Sequence, residues 1–132
     1  NEMKLVLGTM TFGESVFAPN VSEFVKMFLD AGYEELDTAY VYNEGNCEKL
    51  LGEVLPELGR PYKISTKVNP RITGKLDGEA AYAQLNESLE RLGVSSVDTF
   101  FLHFPLAMNT QHYPRKTFHF SQLPLLTPWY CY

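Results

Sequence analysis

The sequence predicts an α/β protein built on a parallel sheet. Three observations point there: four short apolar runs, three helical patterns lying between them, and a glycine just beyond the last periodic residue of each pattern. The apolar runs are residues 4–8 (KLVLG), 34–37 (EELD), 62–67 (YKISTK) and 97–103 (VDTFFLH). Strand–helix alternation of this kind implies parallel pairing through right-handed crossovers.

The first helical pattern places Val21, Phe24, Val25, Phe28 and Leu29 on one face of a 3.6-residue repeat. Asn20 with Glu23 resembles a capping box, and Pro19 precedes it. The second repeats the spacing with Cys47, Leu50, Leu51, Val54, Leu55 and Leu58, although Pro56 argues against a complete last turn. In the third, Asp77 is the expected N-cap, and Ala81, Leu85, Leu89 and Leu92 form the buried stripe. The three stops are Gly32, Gly59 and Gly93, a residue that accepts the left-handed backbone ending a helix. Two architectures satisfy this beat, an open doubly wound sheet or part of a (β/α)8 barrel. The first turn reads LGTMTFG, with only Gly8 and Gly13, so the dinucleotide fingerprint of the open sheet is absent. Four strands and three helices make half a barrel, since a whole one takes about 250 residues.

Composition narrows the class. The chain has 132 residues, 45% of them hydrophobic and 20% charged, which is ordinary for a globular domain. Its net charge of -5 offers no basic stripe for phosphates, so neither nucleic acid nor an anionic membrane is an expected partner. No apolar run approaches the length of about 18 residues that a spanning helix needs. No charged-then-apolar leader opens the chain, which leaves secretion without support. Cys47 and Cys131 form no disulfide framework, and the expected location is the cytoplasm. No metal is expected. Residues 1–105 hold all 16 acidic side chains and 9 of the 11 basic ones. Residues 106–132 hold no acid, six aromatics and three prolines, and read as an irregular tail.

Ligands of parallel α/β folds lie at the carboxyl ends of the strands. The second run ends at Asp37, the third at Lys67 and the fourth at His103, with Tyr42 five residues beyond Asp37. Each has a plain structural reading. Asp37 caps a turn, Lys67 extends its stem to solvent, Tyr42 packs like Tyr40, and His103 is a satisfied core histidine. Their coincidence on one rim speaks for chemistry. A phenol, which titrates near 10 in water, becomes a better proton donor beside an ammonium, because the ammonium favours the phenolate. A carboxylate is needed to hold that ammonium charged. An imidazole can donate to a carbonyl oxygen. Such a group protonates an oxygen that is becoming an alkoxide, and a hydride donor would complete a carbonyl reduction.

The stretches LDTAYVYNEGNCEKLLG, ISTKV and VDTFFLHFP resemble the aldo-keto reductases. With LGTMTFG they most resemble the aflatoxin-aldehyde/succinic-semialdehyde reductase branch, over residues 5–105. The resemblance implies the first half of a (β/α)8 TIM barrel, about four parallel strands and three helices, in residues 1–105, followed by the divergent tail 106–132. It implies NADPH-dependent reduction of a small aldehyde or ketone. It also implies Tyr42 as general acid, Lys67 as the cation that acidifies it, and Asp37 as the partner of Lys67 near the nicotinamide ribose. His103 would contact the substrate carbonyl, with Met10 also toward the substrate, and Gly8, Thr9 and Met10 would line the cofactor mouth. Ser15 stands where relatives of this branch often carry an arginine, and serine cannot pair with a carboxylate-bearing substrate. In the family the chain continues into a fourth helix and strands five to eight, which carry the nicotinamide-stacking tyrosine and the basic loop on the 2′-phosphate. A second expectation is therefore a truncated, catalytically inactive half-barrel that self-associates through exposed strand edges. A third is a small open α/β binding module unrelated to reductases.

Overall fold

The computed structural model describes residues 3–104, so the expectations for residues 106–132 lie outside the described residues. In chain order the elements are β1 (Val6–Gly8), α1 (Ala18–Asp30), β2 (Glu35–Asp37), α2 (Asn46–Leu58), β3 (Lys63–Val68), α3 (Pro70–Thr73), α4 (Gly78–Leu92) and β4 (Thr99–Leu102). The strands form one parallel sheet in the order β1-β2-β3-β4. That order never reverses. A doubly wound sheet reverses beside its first strand, whereas a barrel adds each strand beyond its predecessor. Right-handed crossovers then put every helix on the same side, and α1 packs beside α2, and α2 beside α4.

The alternation of side chains along each strand sorts the two faces. On β3, Ile64, Thr66 and Val68 are buried toward the helices, while Lys63, Ser65 and Lys67 face the other way. The helix layer closes a core of Val21, Val25, Leu29, Leu51, Leu55, Leu85 and Leu92 over Leu36, Ile64 and Phe100. Each such side chain contributes about 1.5–3 kcal/mol by leaving water. The opposite face lines an open concavity of about 610 Å³.

Local details depart from the sequence reading at identifiable points. No Asn20–Glu23 capping box forms. Helix α1 begins earlier, at Ala18, with Phe17 as an N-cap that makes no side-chain cap hydrogen bond. Pro19 has its φ preset for a first turn and no N–H to satisfy, so it starts the helix ahead of Asn20. Helix α2 runs through Pro56 to Leu58, because buried Val54 and Leu55 anchor its last turns. Strands β1, β2 and β4 are shorter than their apolar runs, whereas β3 keeps its length and is shifted by one residue, leaving Tyr62 outside and taking in Val68. The short helix α3 went unread; Pro70 opens it, and the Asn69 side chain accepts from the Arg71 N–H. Asp77 caps α4 as expected, accepting from the Ala80 N–H at 2.8 Å.

Helix α2 lies close against the C-terminal end of α4 at Gly52. A Cβ added there would lie 2.5 Å from the Arg91 carbonyl oxygen and 2.9 Å from that of Leu92. Alanine gains about 1 kcal/mol of helix propensity over glycine, but backbone carbonyls cannot rotate away, and forced overpacking costs about 1–3 kcal/mol. Gly52→Ala should therefore lower the urea midpoint with the m-value unchanged. A stabilised variant would show that the two helices separate freely.

Candidate active site

Sheet register assembles the site. Asp37 on β2 lies opposite Ser65 on β3, and Lys67 follows Ser65 by one full pleat on the same face. Two neighbours then share the Asp37 carboxylate. The Ser65 hydroxyl donates to Oδ1 at 2.8 Å, and the Lys67 ammonium donates to Oδ2 at 2.8 Å. Lys67 also donates to the Thr38 carbonyl oxygen at 2.7 Å and to the Tyr42 hydroxyl at 3.3 Å. All three ammonium hydrogens are thus committed. The lysine side chain is 13% exposed, a depth at which an unpaired ammonium would be costly and the carboxylate offsets that cost.

Tyr42 opens the turn Tyr42–Gly45 that follows β2, and its ring lies under the Lys67 ammonium, 4.9 Å from the centroid. The His103 ring meets Tyr42 edge-on at 5.8 Å and stacks on Phe104 at 4.2 Å. His103 stands just beyond β4, its N–H bonded to the Val68 carbonyl at 2.9 Å. The four residues read from the sequence as one rim are therefore together. Ser65 and the Thr38 carbonyl were missed. Ser65 carries a sequence signal, since it lies two residues before Lys67 and so on its face; a backbone carbonyl carries none.

The remaining expected residues sit at the same end of β1. Gly8 lines the concavity, and a Cβ added there would meet nothing within 4 Å. Thr9 is fully buried and its hydroxyl donates to the Asp37 carbonyl at 2.9 Å, while Met10 is exposed. Among the described residues, no group of three or more His, Cys, Asp or Glu side chains is placed to hold a metal.

The family model for the aldo/keto reductase family matches residues 4–119. The chain belongs to the aldo/keto reductase family. It is 42% identical over 103 residues to aflatoxin B1 aldehyde reductase member 2 of Homo sapiens, covering 76% of this chain and 29% of that protein. It is 39% identical to member 4 from the same organism, covering 76% and 31%. Among solved structures, an aldo-keto reductase from Klebsiella pneumoniae, in complex with NADPH, matches with a TM-score of 0.64 and 28% identity. That match covers 75% of this chain and 34% of that one. The chain spans about three-tenths of the length of these human relatives. The sheet is accordingly part of an aldo-keto reductase barrel, and an unrelated binding module is set aside.

In this aldo-keto reductase rim the surroundings of His103 disfavour its charged form. Burial pushes its pKa below the ordinary histidine value, and the Lys67 charge pushes the same way, against a smaller opposing pull from Asp37. Its Nδ1 is buried and has no hydrogen-bond partner among the described residues. A neutral imidazole fits that setting. The unfolded chain binds this proton at a higher pH than the folded one, so stability rises with pH across that window and is lost on acidification below about 6.5. An NMR titration of the His103 ring should give a midpoint below 6.5, and His103→Gln should remove part of the acid sensitivity. A midpoint above the ordinary value would mean that the imidazole is held as a cation.

Proposed function

We propose that this chain carries the proton-donating side of an NADPH-dependent reduction of a small aldehyde or ketone to an alcohol. One observation carries the reading: a single part-buried ammonium donates at once to Asp37, Thr38 and the Tyr42 hydroxyl. Family membership and the NADPH-bound Klebsiella relative support it.

The described residues suit the reacting end of a dinucleotide. There is open space beside Gly8, the Asp37 carboxylate is partly exposed, and His103 Nδ1 lies without a partner. Asp37, Gly8, Thr9 and Met10 would hold that end. When bound, NADPH supplies a hydride to the carbonyl carbon. Tyr42 donates its phenolic hydrogen to the substrate oxygen and transfers the proton as negative charge develops there. The Lys67 ammonium then faces a phenolate, an attraction of about 4 kcal/mol for unit charges about 4 Å apart at an effective dielectric near 20. Because the Asp37 ion pair offsets part of it, the ammonium must stay close. A neutral His103 donates a hydrogen bond to the same substrate oxygen and fixes its orientation. Met10 would border the substrate at the mouth.

In a chain that reduces an aromatic aldehyde with NADPH, Tyr42→Phe should lower kcat by about 10²–10⁴ while the quenching of NADPH fluorescence on binding persists. Loss of both together would remove the general-acid assignment. Absence of saturable quenching in the unaltered chain would leave the inactive half-barrel.

A second reading concerns association. Among the described residues β1 and β4 each have a strand neighbour on one side only, and the concave face between them is open. Unpaired strand edges favour pairing with another chain. Size-exclusion chromatography should show an elution volume that shifts with concentration; a single concentration-independent monomer peak would contradict self-association. Among the described residues no helix is long and apolar enough to cross a membrane. We place the protein in the cytoplasm, with the buried free thiol of Cys47 fitting a reducing compartment.

A further inference from the structure

A second ion pair lies behind the rim, on the helix side of β3. Glu48, in the first turn of α2, is fully buried. Its Oε1 accepts from the Thr66 hydroxyl and its Oε2 from Arg91 Nε, each at 2.5 Å. Arg91, in the last turn of α4, also donates from Nη2 to the Ser88 hydroxyl at 3.1 Å, and its guanidinium lies 4.7 Å from the centre of the Tyr40 ring. Its stem presses on Gly45, where an added Cβ would come within 2.9 Å of Arg91 Cδ and 3.2 Å of Tyr40 Cδ2.

These contacts end next to Lys67 and at either end of the segment that carries Tyr42. Thr66 precedes Lys67 on β3, and the strand's alternation sends one side chain to Glu48 and the other into the concavity. Tyr40 and Gly45 bracket the segment that carries Tyr42. That segment is strained. Asn43 and Glu44 hold φ of 53° and 52°, a left-handed conformation costing about 1–2 kcal/mol per residue. It persists only where its surroundings hold it. A hydrogen bond from Gly45 N–H to the Tyr40 carbonyl (2.6 Å) and one from Asn43 Nδ2 to the Gly13 carbonyl (2.8 Å) close the turn, and Arg91 packs against its base.

We infer that Glu48 and Arg91 are positioning residues that set the distance between the Tyr42 phenol and the Lys67 ammonium. Stability alone does not account for them. A buried ion pair is often no better for stability than apolar groups of the same size. An arginine here supplies what those groups cannot: planar donors divided between the Glu48 carboxylate and the Ser88 hydroxyl, and a flat face for Tyr40. The inference rests on the reading of Tyr42 and Lys67 as a working pair.

NMR of the full chain reads that geometry whether or not the chain turns over. With the ammonium 4.9 Å from the Tyr42 ring centre, a cross-relaxation peak is expected between the ring protons and the Lys67 ε-methylene. Two variants separate positioning from bulk stability. Arg91→Lys keeps a cation for Glu48 and loses the separate donor to Ser88 and the flat face. Tyr40→Leu leaves the Glu48–Arg91–Thr66 contacts in place and removes only the platform. In each variant that stays folded, judged by unchanged Val25–Leu29 peaks in α1, the Tyr42–Lys67 peak should be lost. Its persistence in folded Tyr40→Leu, or in folded Arg91→Lys, would overturn the inference and reduce the pair to a strut between helices. Should Arg91→Lys fail to fold, Tyr40→Leu decides alone. A missing peak in the unaltered chain would instead sink the Tyr42–Lys67 pair itself.

Discussion

Strand β3 holds the rim together because its two faces do different things one residue apart. Lys67 points into an open concavity and meets Asp37, while Thr66 points into the helix layer and meets buried Glu48. An ammonium can serve a phenol only if something else keeps it charged and in place. Asp37 and the Thr38 carbonyl do that directly. The parallel register does it at longer range, because it sets Asp37 opposite Ser65 and so one pleat from Lys67. A one-residue slip of β3 would exchange the two faces, sending Lys67 into the core and Ile64 into the concavity.

This construction explains why the rim can be polar without weakening the fold. The apolar stripes of α1, α2 and α4 close one side of the sheet, and the buried polar groups are paired there. Gln84 shows the same economy, exchanging two hydrogen bonds with the backbone of Asn69 where β3 turns into α3. Among the described residues His103 Nδ1 is the exception. An unpaired buried nitrogen at the mouth of a cleft is the kind of local violation expected where a ligand completes the bonding.

The residues most legible in the sequence were those with a repeating pattern or a distinctive chemistry. The helical stripes, the Asp77 cap and the glycine stops were readable because local periodicity and backbone preference act within a few residues. Asn20 misled because a capping box and a first-turn proline compete for the same helix start, and the proline prevailed. Pro56 misled in the opposite direction, since packing of Val54 and Leu55 outweighed a local propensity. Asp37, Lys67 and His103 stood out as ionisable groups at strand ends with Tyr42 in the loop beyond, and the resemblance to aldo-keto reductases implied a role for each.

Glu48 and Arg91 were not legible in this way. They lie 43 residues apart on different helices, and each reads alone as an ordinary charged residue on a helix. Only the packing of α2 against α4, at the close approach of Gly52, brings the guanidinium onto a carboxylate whose other oxygen already accepts from β3. Chain-local physics thus determined which segments become strands and helices and which ionisable groups reach the rim. The strand order, the concave face that the strands line and the spacing of phenol from ammonium came from contacts between distant segments, which no short window of residues contains.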